Sequence, residues 1–329
     1  MKRVLVTGGT GVTGTALVRY LLEKKIEVIA IVRPGSFREK YLPDDPGLHI
    51  VHKNLMEIGS IADEIKDYGS FDAMFHLAWE GSTISDKVGS RDNMELQSRN
   101  IVYTVDAARL CKDIGSPVFV MTGSQAEYGE QGGDISEDIS EDIIPAPQNG
   151  YGNAKLCAEN MTRIMCHKSG VKHICARLFS VYGPYDGTNS LINTSILKLL
   201  KGERPQYTKG EQMWNYLYSF DAAKALLFLA EKGKSCESYN VASRTQMPLK
   251  EYIRMMHDVV NSEISPIFGE KDYPGGKLTE MRSDISKLVA ATGFSEEYSF
   301  KQGIEQIMKW CVEFSEEYVG NVENKDFYK

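Results

Sequence analysis

The chain has 329 residues, 42% hydrophobic and 25% charged, with a formal net charge of −7. That length exceeds what one core usually organises, so two lobes are expected. The acidic balance argues against a nucleic-acid or membrane-surface protein. The first apolar run is too short for a signal-peptide core, and no run approaches the roughly 18 residues of a membrane span; a cytoplasmic protein is expected. The six cysteines (111, 157, 166, 175, 236 and 311) form no CxxC pair and read as reduced thiols, mostly in the core. The six histidines form no ligand cluster, and His49 and His52, three apart on a strand, face opposite sides. No metal site is expected.

In chain order, Val4-Leu5-Val6-Thr7 reads as a strand, Gly8 to Gly14 as a tight loop with glycines spaced TGxxGxxG, and the apolar periodicity of Ala16, Leu17, Tyr20 and Leu21 as a helix. Gly8 allows a sharp turn, Gly11 leaves room for a diphosphate against the backbone, and Gly14 lets helix and strand pack closely. The helix N-terminus then offers free N–H groups to the phosphates. Further strands are expected at 27–32, 48–51, 71–78, 116–122, 171–178 and 239–242, with helices at 92–112, 151–169 and 221–232. The alternation predicts βαβ units: an α/β, Rossmann-type doubly wound parallel sheet, with ligands bound beyond the carboxyl ends of the strands. Residues 127–149 form a polar stretch with a small acidic duplication, either a lid or a solvated loop. From Phe179 the elements shorten. Residues 1–178 are therefore assigned to the dinucleotide-binding domain, with a returning segment at about 218–243, and 179–329 to a smaller substrate-binding lobe. A helix is expected from residue 247, and a C-terminal helix with Ile304, Ile307, Met308, Cys311, Phe314 and Tyr318 on one apolar stripe.

Tyr151 and Lys155 stand four apart on one helix and so share a face. An ammonium beside a phenol favours the phenolate, which suits the pair to proton transfer. Tyr20/Lys24 and Tyr273/Lys277 have the same spacing, but the first lies below the carboxyl edge of the sheet and the second is interrupted by Pro-Gly-Gly. Ser124, at the end of the fifth strand, could hold a substrate oxygen against the Tyr151 proton.

Together, residues 7–14, Phe75-His76-Leu77-Ala78, Asn100, Ser124 with Tyr128-Gly129, Tyr151-Gly152-Asn153-Ala154-Lys155 and Arg177-Leu178-Phe179-Ser180-Val181-Tyr182-Gly183-Pro184 resemble the extended short-chain dehydrogenase/reductases of the NAD(P)-dependent epimerase/dehydratase type. The resemblance extends to Asp221 and residues 282–287. It implies a Rossmann domain, a small nucleotide-sugar lobe, a catalytic triad of Ser124, Tyr151 and Lys155, and a homodimer formed through two helices per subunit, here 92–112 and 151–169. There are departures. The family's 4,6-dehydratases carry an Asp-Glu pair after the catalytic hydroxyl, where this chain has Gln125 and Ala126. Ser180 and Trp214 also replace the family's usual Asn and Arg.

The expected dinucleotide contacts are Gly8, Thr10, Gly11, Val12, Gly14, Arg33, Ser36, Asn54, Leu55, Leu77, Ala78, Thr122, Tyr151, Lys155 and Phe179. An acidic residue about 20 positions after the last glycine selects NAD, and an arginine there accommodates a 2′-phosphate. Position 33 is Arg, with Ser36 and Arg38 nearby, so NADP(H) is expected. That favours reduction of a nucleotide-linked 4-keto-6-deoxy sugar, with Trp79, Ser124, Gln125, Glu127, Ser180 and Asn215 as sugar contacts. A nucleotide-sugar epimerase, a reductase of a non-sugar carbonyl and a non-catalytic NADP(H)-sensing module are the alternatives.

Overall fold

The computed structural model describes residues 1–82, 89–129, 138–187, 190–261, 263–273, 280 and 282–313. Seven parallel strands form the central sheet: β1 (Arg3–Thr7), β2 (Glu27–Val32), β3 (Leu48–His52), β4 (Ala73–His76), β5 (Val118–Ser124), β6 (Lys172–Leu178) and the late strand β10 (Glu237–Val241), in the spatial order β10-β6-β5-β4-β1-β2-β3. The order reverses between β1 and β4, which opens the crevice where such sheets bind ligands.

Successive strand residues face opposite sides, and both sides are apolar. Val4, Val6, Val28, Ala30, Phe75 and Val120 share one core with helices α1 (Val12–Glu23) and α6 (Ser219–Lys232). Leu5, Ile29, Met74, Phe119 and Met121 share the other with α2 (Ala62–Lys66), α3 (Met94–Asp113) and α4 (Gly150–Ser169). A sheet covered on both faces explains the near-continuous apolar strand sequences.

After β6 come β7 (Val181–Tyr182), α5 (Leu191–Leu200), β8 (Met213–Trp214) and β9 (Leu217–Tyr218); after β10 come β11 (Met247–Pro248), α7 (Leu249–Val260), α8 (Ser286–Thr292) and α9 (Phe300–Glu313). A third apolar cluster joins α5, α7 and α9 through Ile192, Ile196, Ile253, Met256, Ile304, Ile307, Trp310 and Cys311. Phe314 and Tyr318 of the expected stripe lie outside the described residues, as do Lys277 and the first four residues, 134–137, of the acidic duplication. Its end is tied down: Ile139 bridges to Ser283, and Glu141 accepts the Asn240 N–H at 2.6 Å. Residue 247 opens a short antiparallel pair with β8 rather than a helix, which begins at Leu249.

A charge cluster is buried behind the end of β5. Glu127 accepts the Ser124 N–H at 2.7 Å and pairs with Arg177 at 2.9 Å; Arg177 also binds Glu159 at 3.0 Å, and the Ser238 hydroxyl donates to Glu159 at 2.5 Å. Glu127 is fully buried. Its expected contact with a sugar is therefore corrected: its carboxyl supports the Ser124 backbone from inside. Glu127, Glu159 and Cys175 are close enough to suggest a metal site, but Arg177 already supplies the cation there. Burial, then Glu159, pushes Glu127 up to about 8 against the pull of Arg177. Burial opposes ionisation of Glu159 as well, but Arg177 and its hydrogen bonds outweigh it and hold that group below the usual range.

With Glu127 raised, the folded chain holds more protons than the unfolded chain between its ordinary 4.5 and about 8. The stability from this group is complete below the lower value and is lost as pH rises through the upper one. A Glu127→Gln variant should therefore show a flatter decline of thermal midpoint from about pH 5 to about pH 9 than the parent. Parallel pH profiles for the two proteins would rule this assignment out.

Candidate active site

The loop after β1 is shaped by backbone contact. Gly8 has φ +74°, and a Cβ there would fall 2.5–2.8 Å from backbone atoms of Leu77 and Ala78 at the end of β4. A Cβ at Gly14 would overlap the Gly8 carbonyl. Gly11 differs: its added Cβ would meet only the Gly8 oxygen, at an ordinary 3.6 Å. The fold does not itself demand glycine at 11, so the space beside it is open to a ligand. The first N–H groups of α1 have no side-chain cap. Room at Gly11 beside uncapped, positively polarised N–H groups fits the diphosphate of a dinucleotide.

The other expected cofactor residues are distributed along the carboxyl edge. Thr10 and Val12 are half-buried on the loop and first turn, and Leu77 and Ala78 are half-buried after β4. Arg33, just past β2, is exposed and makes no ion pair or side-chain hydrogen bond with the described residues. The Ser36 N–H donates to the Arg33 carbonyl at 3.1 Å, forming a turn. Arg38 is engaged elsewhere, with its guanidinium on the Tyr185 carbonyl. Asn54 caps the short turn that begins at Leu55, in a reciprocal pairing with Glu57. Phe179 is buried, its N–H bonded to the Val241 carbonyl at 3.1 Å.

Ser124, Tyr151 and Lys155 come together where β5 meets the first turns of α4. The Ser124 hydroxyl accepts the Ala126 N–H at 3.2 Å. Lys155 Nζ donates to the Thr122 carbonyl at 2.7 Å and lies 3.9 Å from the centre of the Trp79 ring. Trp79 meets Tyr151 edge-on, with ring centres 5.9 Å apart, and its Nε1 donates to Gln97 at 2.9 Å. Burial raises the Tyr151 phenol, while the Ser124 hydroxyl and the Arg91 guanidinium pull it down. In the chain alone burial is the largest influence on this phenol. Burial likewise lowers Lys155 to about 8, although Glu127 opposes the shift. Below them His76 is bonded to Thr7 at 2.8 Å and to Thr104 at 3.2 Å, and burial holds it neutral, with its pKa lowered to about 3.

The expected sugar contacts divide. Trp79 belongs to the site. Gln125 and Ala126 are half-buried in the 3-10 turn Gln125–Glu127, and Gln125 Oε1 is a buried acceptor with no hydrogen-bond partner among the described residues, which marks it as an unfilled polar contact. Ser180 is half-buried, its carbonyl accepting the Leu217 N–H at 3.0 Å. Asn215 is sealed inside, with Nδ2 donating to Ser283 at 3.1 Å. Its expected role is corrected to one of joining two segments. Arg91, whose guanidinium carbon lies 4.4 Å from the Tyr151 ring centre, had no signal in the sequence, because no spacing ties residue 91 to residue 151.

Against known proteins, the sequence profile described as the NAD dependent epimerase/dehydratase family matches residues 4–242. The chain is 24% identical over 350 residues to dTDP-glucose 4,6-dehydratase 1 of Escherichia coli (strain K12), covering 98% of this chain and 96% of that one. It is similar to the UDP-N-acetylglucosamine 4-epimerase from Methanobrevibacter ruminantium M1, solved in complex with UDP-N-acetylmuramic acid: TM-score 0.82, 26% identity, 95% of this chain and 98% of that one. The fold is shared with the dTDP-glucose 4,6-dehydratase of Bacillus anthracis str. Ames, solved in complex with NAD: TM-score 0.78, 20% identity, 96% and 98% covered. The chain belongs to the NAD-dependent epimerase/dehydratase family and is an enzyme of the extended short-chain dehydrogenase/reductase type.

Proposed function

We propose that this enzyme inverts the configuration at carbon 4 of a sugar joined to a nucleoside diphosphate, by oxidation and re-reduction at that carbon. The observation that carries this reading is the convergence of Ser124, Tyr151 and Lys155 beside an uncapped, glycine-lined helix N-terminus, in a chain whose relatives are named for chemistry at carbon 4. Dehydration is disfavoured chemically. It needs a further acid and base to move a proton and expel a hydroxyl, and neither Gln125 nor Ala126 has one to offer.

In this reading the first turn of α1, with Gly8, Thr10, Gly11, Val12 and Gly14, holds the dinucleotide's diphosphate. Leu77, Ala78, Thr122 and Phe179 flank its nicotinamide end, and Asn54 and Leu55 its adenine end. When bound, the dinucleotide supplies the hydride acceptor and donor and, when oxidised, a positive charge that favours the phenolate. Ser124 holds the sugar oxygen. Tyr151 takes its proton and returns it after the sugar has turned its other face, and Lys155 anchors the adjoining ribose. Gln125, Trp79 and Ser180 face the sugar from the segment beginning at 179 and from the ends of β4 and β5.

A second reading is favoured by one observation. The unpaired, exposed Arg33 guanidinium at the end of β2 suits a 2′-phosphate, with Ser36 beside it, and so suits NADPH-consuming reduction of a nucleotide-linked keto sugar. The two readings separate in one assay. Epimerisation converts UDP- or dTDP-linked hexoses without net change in reduced nicotinamide, whereas reduction oxidises NADPH in step with a keto sugar. In both, Tyr151→Phe should retain dinucleotide binding and lose about 10²–10⁴-fold in rate; near-parental turnover would refute the assigned role.

Arg33→Ala should weaken NADP(H) by roughly tenfold to a hundredfold, the worth of one charge-assisted contact, and leave NAD affinity unchanged. Isothermal titration with both dinucleotides reads this directly, and equal losses for the two would remove Arg33 from the 2′-phosphate site.

We also infer a homodimer through α3 and α4, because Val102, Met161 and Ile164 are exposed apolar residues on these helices. Light scattering should give twice the chain mass for the parent and a single chain mass for a Val102→Glu/Ile164→Glu variant. A parent of single mass would exclude this arrangement.

A further inference from the structure

α4 begins hard against the 3-10 turn Ser90–Asp92. The Gly150 N–H donates to Asp92 Oδ1 at 2.8 Å, and a Cβ at Gly150 would come within 2.8 Å of the Arg91 carbonyl. The close approach depends on glycine, and it delivers Tyr151, the next residue, to the Arg91 side chain. The guanidinium carbon lies 4.4 Å from the Tyr151 ring centre, and Arg91 Nε is held by the Ser82 carbonyl at 3.1 Å. Half-buried and anchored, Arg91 is not a solvated surface cation.

The charged groups around the phenol come from three elements. Arg91 and Asp92 belong to the turn before α3, with Asp92 already bonded to Gly150. Lys155 belongs to the phenol's own helix, and Glu127 to the turn after β5. Ser124 and Trp79 are uncharged. Lys155 lies farther away, at 5.9 Å from the Tyr151 ring centre, and its ammonium is directed to the Thr122 carbonyl and the Trp79 face. Arg91 is thus the nearer of the two cations.

We propose that Arg91 is a positioning residue for proton transfer, orienting the Tyr151 ring and stabilising the phenolate formed whenever the phenol gives up its proton. This rests on the reading of Tyr151 as the proton-transfer group. An opposite charge 4–6 Å from a titrating group moves its midpoint by about 1–3 pH units, and burial leaves this phenol in need of such help.

The test is a substrate-free ultraviolet titration of tyrosinate. Subtracting the Tyr151→Phe curve from the parent curve isolates residue 151, and the same subtraction is made in Arg91→Met and Arg91→Lys backgrounds. Arg91→Met should raise the Tyr151 midpoint by about one pH unit or more, and Arg91→Lys, which keeps the charge, by less than about half a unit. In the sugar-conversion assay, Arg91→Met should lower kcat about tenfold near neutral pH with KM little changed, and recover as pH rises. An unmoved midpoint in Arg91→Met, or an equal displacement in Arg91→Lys, overturns the proposal. A parent protein that converts no nucleotide sugar would instead defeat the functional reading, and the titration would still decide what Arg91 does to the phenol.

Discussion

An ammonium buried at the carboxyl edge of a parallel sheet must find its partners in the strand ends, because water no longer reaches it. Lys155 finds the Thr122 carbonyl and the face of Trp79. That pairing fixes the rotation of α4 on β5. Thr122 lies two residues before Ser124 on one strand, and Tyr151 lies one helical turn before Lys155. Securing the ammonium therefore sets phenol and serine hydroxyl together. The same dry surroundings hold His76, bonded to Thr7 and Thr104, uncharged.

Dryness at this edge has to be balanced from behind. Arg177, Glu127 and Glu159 form a buried group whose charges are matched internally. Its link to the site is a reciprocal pairing: Glu127 accepts the Ser124 N–H, and the Ser124 hydroxyl accepts the Glu127 N–H. Such clusters add little net stability, but removing one member leaves an uncompensated charge. The cluster also ties one helix to two strands of the sheet, since Glu159 is on α4, Arg177 on β6 and Ser238 on β10. Structural order and site geometry thus meet at one carboxyl.

Much of this was legible in the sequence. The near-continuous apolar runs marked every strand of the large sheet to within two residues, because a strand buried on both faces has few other ways to read. The TGxxGxxG loop and the Tyr151/Lys155 spacing were local patterns with local causes. What escaped was long-range. Glu127 looked like an exposed acid beside a catalytic serine, and only its meeting with Arg177, fifty residues on, turned it inward. Asn215 was drawn inside by Ser283 in the same way. The depth at which the phenol is buried was also illegible, because desolvation, unlike spacing, cannot be counted along a chain. The two-residue strands β7, β8, β9 and β11 are too short for any periodicity to register.

The position of β10 has a consequence for how the chain is made. It forms the outer edge of the large sheet beside β6, yet it follows β6 by about sixty residues. Until it emerges from the ribosome, β6 presents a bare row of hydrogen-bonding groups, and the Phe179 N–H lacks its partner at Val241. An unprotected strand of this kind is a template for joining another chain. Nascent molecules caught at that stage should be the ones that chaperones need to shield.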